Sequence, residues 1–226
     1  MKILLTAGGT REPIDAARFV TNLSSGRTGR VIAETLAGRS CELLCLCAAG
    51  AERPAGDKIR VKSFFTFSEL DAALRVSLAA EAFDAVIHLA AVSDYSPSLI
   101  EADGKVFLPG KDVKLDSSPA ELRLTLKRNF KILDRIKGYA AAAGRPEPLL
   151  IGFKLTAGAS PEQIAGKVRA LAAADLVVHN DLAAMRPAHR FRLYKDGRPA
   201  SACTGPAELA GKLFSFIEKG TEALCY

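Results

Sequence analysis

Short apolar runs alternate with stretches of helical spacing along this chain, and that alternation restricts the possible folds more than any other feature. Residues 2–6 form an apolar run that ends in Ala7-Gly8-Gly9-Thr10, the pattern of a buried strand feeding a glycine turn. Further strands are predicted at 41–47, 59–62, 84–89, 149–153 and 175–179. Helices are predicted from Ser24-Ser25-Gly26 to about Leu36, at 66–81 with Leu70, Ala73, Leu74 and Leu78 on one face, at 129–143 and at 161–173. Ser24 and Ser25 are candidate N-caps, and Pro161 occupies a first-turn position that tolerates proline. This order predicts an α/β fold: a Rossmann-like, doubly wound, mostly parallel sheet with helices on both faces. Ligands of such sheets sit beyond the carboxyl ends of the strands, near a reversal of strand order. The turns after the first, fourth and fifth strands fall on that edge.

Other segments depart from the alternation. Residues 10–22 contain Pro13, lack a period and read as a loop; residues 96–118 are polar, hold Pro97 and Pro109, and read as a flap. Leu122, Leu124 and Leu126 alternate with polar residues, which predicts a strand with one buried face. Residues 190–201 read as a β-hairpin turning at Asp196-Gly197, followed by a helix at 206–219. All of this fits one domain of 226 residues, with a flap and dimerisation segment at about 96–127.

Composition narrows the function classes. The chain is 49% hydrophobic and 25% charged, ordinary for a globular protein, and its net charge of +6 favours an anionic ligand. The basic residues are scattered and tryptophan is absent, so nucleic acid is not an expected partner. No apolar run reaches the ~18 residues of a membrane span, and no signal peptide is evident, so a cytoplasmic location and no membrane partner are expected. Cys41, Cys45, Cys47, Cys203 and Cys225 lack zinc-site spacing and read as small core residues.

Several residues carry candidate chemistry. Gly8-Gly9 forms the glycine turn after the first strand and Ser24-Ser25-Gly26 precedes a helical stretch whose unpaired amides can receive a phosphate, or else they are a tight turn and an ordinary cap. Asn22 offers a carboxamide to a carbonyl or oxyanion, or forms a turn. Asp94 follows a strand end and can hold a ribose, a base edge or a metal-bridged phosphate, or cap a turn. Lys114 lies in the flap near Lys105 and Lys111, either closing over phosphates or solvated. His88 and His179 lie inside apolar strands and read as packed.

The runs 6–15 (TAGGTREPID) and 18–29 (RFVTNLSSGRTG) closely resemble the opening signature of the phosphopantothenoylcysteine synthetase (phosphopantothenate–cysteine ligase) family. The runs AAVSDY at 90–95, KLDSS at 114–118, IGFKL at 151–155 and VVHND at 177–181 extend the resemblance over nearly the whole chain. The resemblance implies a ligase of coenzyme A biosynthesis that joins 4′-phosphopantothenate to L-cysteine. Its substrate carboxylate attacks the α-phosphorus of CTP or ATP, releasing pyrophosphate, and the cysteine amine then displaces the nucleotide monophosphate. It further implies Mg²⁺ (metal ligands unknown), no flavin, and a homodimer. Carried over by position, Asn22 and Lys114 are catalytic, and Gly8, Gly9, Ser24, Ser25, Gly26 and Asn22 bind substrate. Ala90, Ala91, Asp94, Lys114, Asn129, Lys131, Ile132, Phe153 and Lys167 bind nucleotide.

The departures from the family pattern are Phe130 in place of a usual proline and Leu171 near the place of a second helix lysine. Phe153-Lys154-Leu155 resembles the eukaryotic-type ATP users, which leaves the nucleotide open. The chain opens at the ligase signature, as in the stand-alone form that works beside a separate decarboxylase. Two other readings stay open. Residues 86–91 are compatible with an NAD(P)-dependent reductase or epimerase, although G-x-G-x-x-G and a Tyr-x-x-x-Lys pair are missing. The basic charge is compatible with a non-catalytic nucleotide-binding regulator.

Overall fold

The computed structural model describes residues 1–39, 41–184 and 189–223. In chain order its elements are β1 (Lys2–Ala7), β2 (Arg11–Pro13), β3 (Phe19–Thr21), α1 (Arg27–Ala37), β4 (Glu42–Ala48), β5 (Ile59–Phe64), α2 (Phe67–Ala80) and β6 (Ala85–His88). There follow β7 (Tyr95–Ala102), β8 (Lys105–Phe107), β9 (Leu122–Arg128), α3 (Ile136–Ala142), β10 (Leu149–Thr156), α4 (Pro161–Arg169), β11 (Leu176–Asp181), β12 (Arg190–Lys195), β13 (Arg198–Thr204) and α5 (Gly205–Ala223).

Eight strands form one sheet in the order β13-β12-β11-β10-β6-β1-β4-β5. The six from β5 to β11 are parallel, and β12 and β13 add an antiparallel hairpin. From β1 the chain moves first toward β5 and then, through β6, toward β11. The reversal therefore lies between β1 and β6, and the crevice beyond their carboxyl ends is the expected ligand position.

Parallel strands covered on both faces read as continuous apolar runs because neither face meets water. In β4 every residue from Leu43 to Ala48 is buried. On one face Ile3, Leu5, Cys45 and Ile87 pack against Ile32 and Leu36 of α1 and Leu209, Leu213 and Ile217 of α5. On the other, Leu4, Leu44 and Val86 pack against Leu70, Leu74 and Leu78 of α2 and Ile136 of α3, while Ile164 and Val168 of α4 pack with Val177 and Tyr194. Cys41, Cys45, Cys47 and Cys203 are buried free thiols whose pKa values burial pushes up, as expected of core residues. Cys225 lies outside the described residues.

Helix starts follow local chemistry. The Thr66 hydroxyl accepts from Glu69 N at 3.1 Å to cap α2. Ser160 and Gln163 form a reciprocal capping box on α4, with Pro161 beside it. Asp196 and Gly197 both take positive φ, 51° and 72°, as the two-residue turn between β12 and β13 requires.

Four expectations are corrected. Residues 10–22 are not wholly loop: β2 and β3 pair antiparallel, anchored by Arg11 N on the Phe65 carbonyl and by Glu12, which accepts from Phe67 N and the Ser96 hydroxyl. Neither serine caps α1 at the N-cap position, which Gly26 takes at φ 79° without a side-chain cap. The flap carries strands, with β7 paired to both β8 and β9 in a separate three-stranded sheet. Finally, β9 has no buried face: as an edge strand of that sheet it leaves Leu122 and Leu126 exposed.

Both strand histidines are buried, as their apolar surroundings imply. Burial pushes His88 down to about 4, and burial likewise lowers His179. A lowered histidine pKa gives stability that is complete above the unfolded value near 6.5 and is lost as pH falls toward the folded value. Urea midpoints are therefore expected to fall between pH 7 and 4.5, with His88 alone responsible for roughly 3 kcal/mol at full protonation. His88→Gln is expected to flatten that slope; an unchanged slope would show that another group causes it.

Candidate functional site

The turns after β1 and β6 are stitched into one rim. Ala91 N donates to the Gly8 carbonyl at 2.8 Å, Thr10 N donates to the Ala91 carbonyl at 3.2 Å, and Gly9 bridges Ala91. Thr10 and Ser93 complete the join, the Thr10 hydroxyl donating to Ser93 Oγ and accepting from Ser93 N, each at 3.0 Å. Ala90 N is held by the Thr6 hydroxyl, which also contacts His88 Nδ1. Glycine is required at position 8: its φ is 87°, and a Cβ there would come within 2.6 Å of the Ala48 side chain.

Asn22 is brought to this rim at the end of β3. Its Nδ2 donates to the Val92 carbonyl at 3.0 Å, and the adjoining Thr21 hydroxyl donates to the Thr10 carbonyl at 2.7 Å. Just beyond, Ser24 and Ser25 are exposed and α1 begins at Gly26 with no acidic residue in its first turn. Such a start leaves amide donors and a positive dipole end available to an anion. Gly9, Asn22 and Ser24 line a pocket of about 110 Å³, together with Arg11 and residues 48–51.

A second group lies further along the same edge. Asp94 forms an ion pair with Lys131. Lys154, near the end of β10, has its pKa lowered by burial first and by Lys131 and Lys167 next, with Asp94 opposing. Three cations thus share a neighbourhood with one carboxylate, an excess of charge suited to phosphates. Among the described residues no cluster of three or more His, Cys, Asp or Glu side chains is placed to hold a metal.

The predicted site residues divide accordingly. The structure brings together Gly8, Gly9, Asn22, Ala90 and Ala91 at the rim, with Ser24, Ser25 and Gly26 beside it, and Asp94, Lys131 and Lys167 around Lys154. Phe153 packs against the core on the α1 and α5 side. Successive strand residues face opposite sides, so Phe153 and Lys154 are separated by the sheet. Asn129 spends its amide donors on the Ser93 carbonyl and the Ser96 hydroxyl, and Ile132 is core. Lys114 is exposed in a segment docked on the β2–β3 turn, where Ala16 N donates to Val113 O and Leu115 N to Asp15. In this arrangement Lys114 does not join the Lys154 group. Sequence reasoning missed Lys154 and Arg11 as site residues; the signal for Lys154 was a lone charge near the end of an apolar strand.

Comparison with known proteins bears on the family and the fold. The model of the DNA/pantothenate metabolism flavoprotein C-terminal domain matches residues 1–195. The coenzyme A biosynthesis bifunctional protein CoaBC of Thermococcus kodakarensis is 35% identical over 187 residues, covering 81% of this chain and 42% of that protein. The chain thus spans less than half the length of this relative. The crystal structure of the DNA/pantothenate metabolism flavoprotein from Streptococcus pneumoniae superposes with a TM-score of 0.83 at 26% identity, covering 97% of this chain and 99% of the other. A Cab2 mutant solved with phosphopantothenate-cysteine shares the fold at a TM-score of 0.77 and 15% identity, covering 100% of this chain and 89% of the other. Since the family model matches residues 1–195, well over half of its length, the chain belongs to the family of the DNA/pantothenate metabolism flavoprotein C-terminal domain.

Proposed function

We propose that this chain is a phosphopantothenate–cysteine ligase of coenzyme A biosynthesis, working through an acyl-nucleotidylate. The observation that carries the reading is the placing of Asn22, the uncapped start of α1 and the Lys131–Lys154–Lys167 group along one carboxyl edge. Such a site needs oriented donors and cations more than a protein nucleophile. In the first step a carboxylate oxygen of phosphopantothenate bonds to the α-phosphorus and the bond to pyrophosphate breaks. Lys154 and its neighbours offset the charge that accumulates on the departing phosphates. In the second step the cysteine nitrogen bonds to the activated carbonyl carbon and the nucleotide monophosphate departs, with Asn22 orienting the carbonyl.

Mg²⁺ would supply further neutralisation and would enter with the nucleotide, since it commonly takes only one or two carboxylates plus substrate phosphates. Asp94 is the carboxylate of this group, and Lys131 already pairs with it. The nucleotide is CTP or ATP. Lys114 acts in this reading only when the flap leaves its docked position or is supplied by a second copy. Incubation with phosphopantothenate, cysteine, Mg²⁺ and each nucleotide tests the proposal: pyrophosphate and a new thiol product are expected together, and neither without phosphopantothenate.

A homodimer follows from the same reading. The free edge of β9 exposes Leu122 and Leu126, and Val106 of β8 is 61% exposed. A strand with one unpaired edge of this kind invites pairing with a second copy. Light scattering is expected to give a dimer mass, and Leu126→Asp to shift it toward monomer; a dimer undisturbed by that change would place the interface elsewhere.

A further inference from the structure

Asp181, the last residue of β11, is directed at the turn between β10 and α4. Its carboxylate accepts from the Thr156 hydroxyl, from Gly158 N at 3.0 Å, from Ala159 N at 3.3 Å and from Ala183 N at 2.8 Å. Those donors, the Thr156 hydroxyl above all, hold its pKa well below the usual carboxylate range. The turn depends on such a brace, because Ala157, Gly158 and Ala159 bring no polar side chain of their own and Gly158 takes a φ of 61°. Thr156 extends the brace to His179. An ionised carboxylate only accepts, so the Thr156 proton goes to Asp181 and the Thr156 oxygen accepts from His179 Nε2, 2.8 Å away. His179, kept neutral by burial, is thereby fixed with its proton on Nε2, and its buried Nδ1 has no partner among the described residues.

What the brace controls follows from register. Thr156 pairs with Asp181 and Lys154 with His179, and alternation puts all four on the face where Ile164 and Val168 of α4 pack with Val177. Lys154 in β10 and Lys167 in α4 stand on either side of the braced turn, close enough for each charge to act on the other. Like charges repel, so their nearness depends on a backbone connection that does not yield. Resting on the ligase reading above, we propose that Asp181 is a positioning residue for the first step: through Thr156, His179 and the turn amides it sets the spacing of Lys154 and Lys167 around the nucleotide phosphates.

Single-turnover kinetics of Asp181→Asn, Thr156→Val and Thr156→Ser test this. A misplacement of about 1 Å costs on the order of 10²-fold in rate. Asp181→Asn is therefore expected to slow pyrophosphate release roughly 10- to 100-fold and to raise KM for the nucleotide, with KM for cysteine unchanged. Loss of folded protein lowers the amplitude of release, whereas loss of positioning lowers its rate constant at full amplitude. Thr156→Val keeps the carboxylate, removes the hydroxyl and should reproduce part of the slowing even if Asp181→Asn does not fold; Thr156→Ser should restore the rate. An unchanged rate constant in either Asp181→Asn or Thr156→Val, or a matching loss in amide formation from isolated acyl-nucleotidylate, would overturn the assignment. Two readouts are independent of turnover. Nitrogen-15 NMR should find the wild-type His179 ring proton on Nε2, and a proton on Nδ1 would break the relay and remove the proposal. Calorimetric titration with ATP and with CTP should show weaker binding by folded Asp181→Asn, and equal binding would contradict the positioned lysine pair. Absence of pyrophosphate release by the wild type would count against the ligase reading alone.

Discussion

Asn22→Ala is expected to leave pyrophosphate release standing while amide formation slows roughly 10²- to 10³-fold, the loss typical of removing one preorganised donor at a reacting centre. The asymmetry follows from position. Asn22 is fixed on the Val92 carbonyl, at the join of the β1 and β6 turns, whereas Lys131 is engaged by Asp94. In the proposed reaction, removing it leaves the cations assigned to the first step and withdraws the carboxamide assigned to the acyl group in the second. Rapid-quench measurement of the two products separates the steps, and an equal loss in both would contradict the role.

Lys154→Met is expected to do the reverse, slowing pyrophosphate release by roughly 10² or more, because a positioned cation acts strongly in a site shielded from water. Lys154 is half-buried, and burial with Lys131 nearby holds its pKa below that of an ordinary lysine. The charged form is the useful one here, so the first step should weaken as pH rises through that lowered value, earlier than an ordinary lysine would allow. Lys154→Met should abolish this alkaline limb along with the rate. Retention of both the rate and the limb would remove Lys154 from the chemistry.

Legibility in the sequence tracked how local the cause of each feature is. Helix α2 was readable because Leu70, Leu74 and Leu78 share a face and Thr66 caps it, and β4 because an uninterrupted apolar run has few alternatives to a buried strand. The β12–β13 hairpin was readable because Asp-Gly meets a backbone demand at its turn. The β2–β3 pair was not, since three-residue strands carry no period and are held by distant partners, Phe65, Phe67 and Ser96. Strand β7 hid for a related reason: its sequence is polar and Pro97 lies at an irregularity in its pairing with β9. At the site, the glycines, Asn22 and Asp94 stood out by type and place. Lys114 stood out as a flap lysine, but where its segment docks, and that Arg11 lines the pocket beside Asn22, are facts of three dimensions.

Phosphopantothenate labelled with oxygen-18 in its carboxylate, turned over with cysteine and nucleotide, tests the direction of phosphoryl attack most directly. Mass spectrometry of the released nucleotide monophosphate should find one labelled oxygen, delivered when the carboxylate bonded to the α-phosphorus. Recovery of the label in orthophosphate, with a nucleoside diphosphate as the second product, would place the attack on the terminal phosphate and contradict an acyl-nucleotidylate.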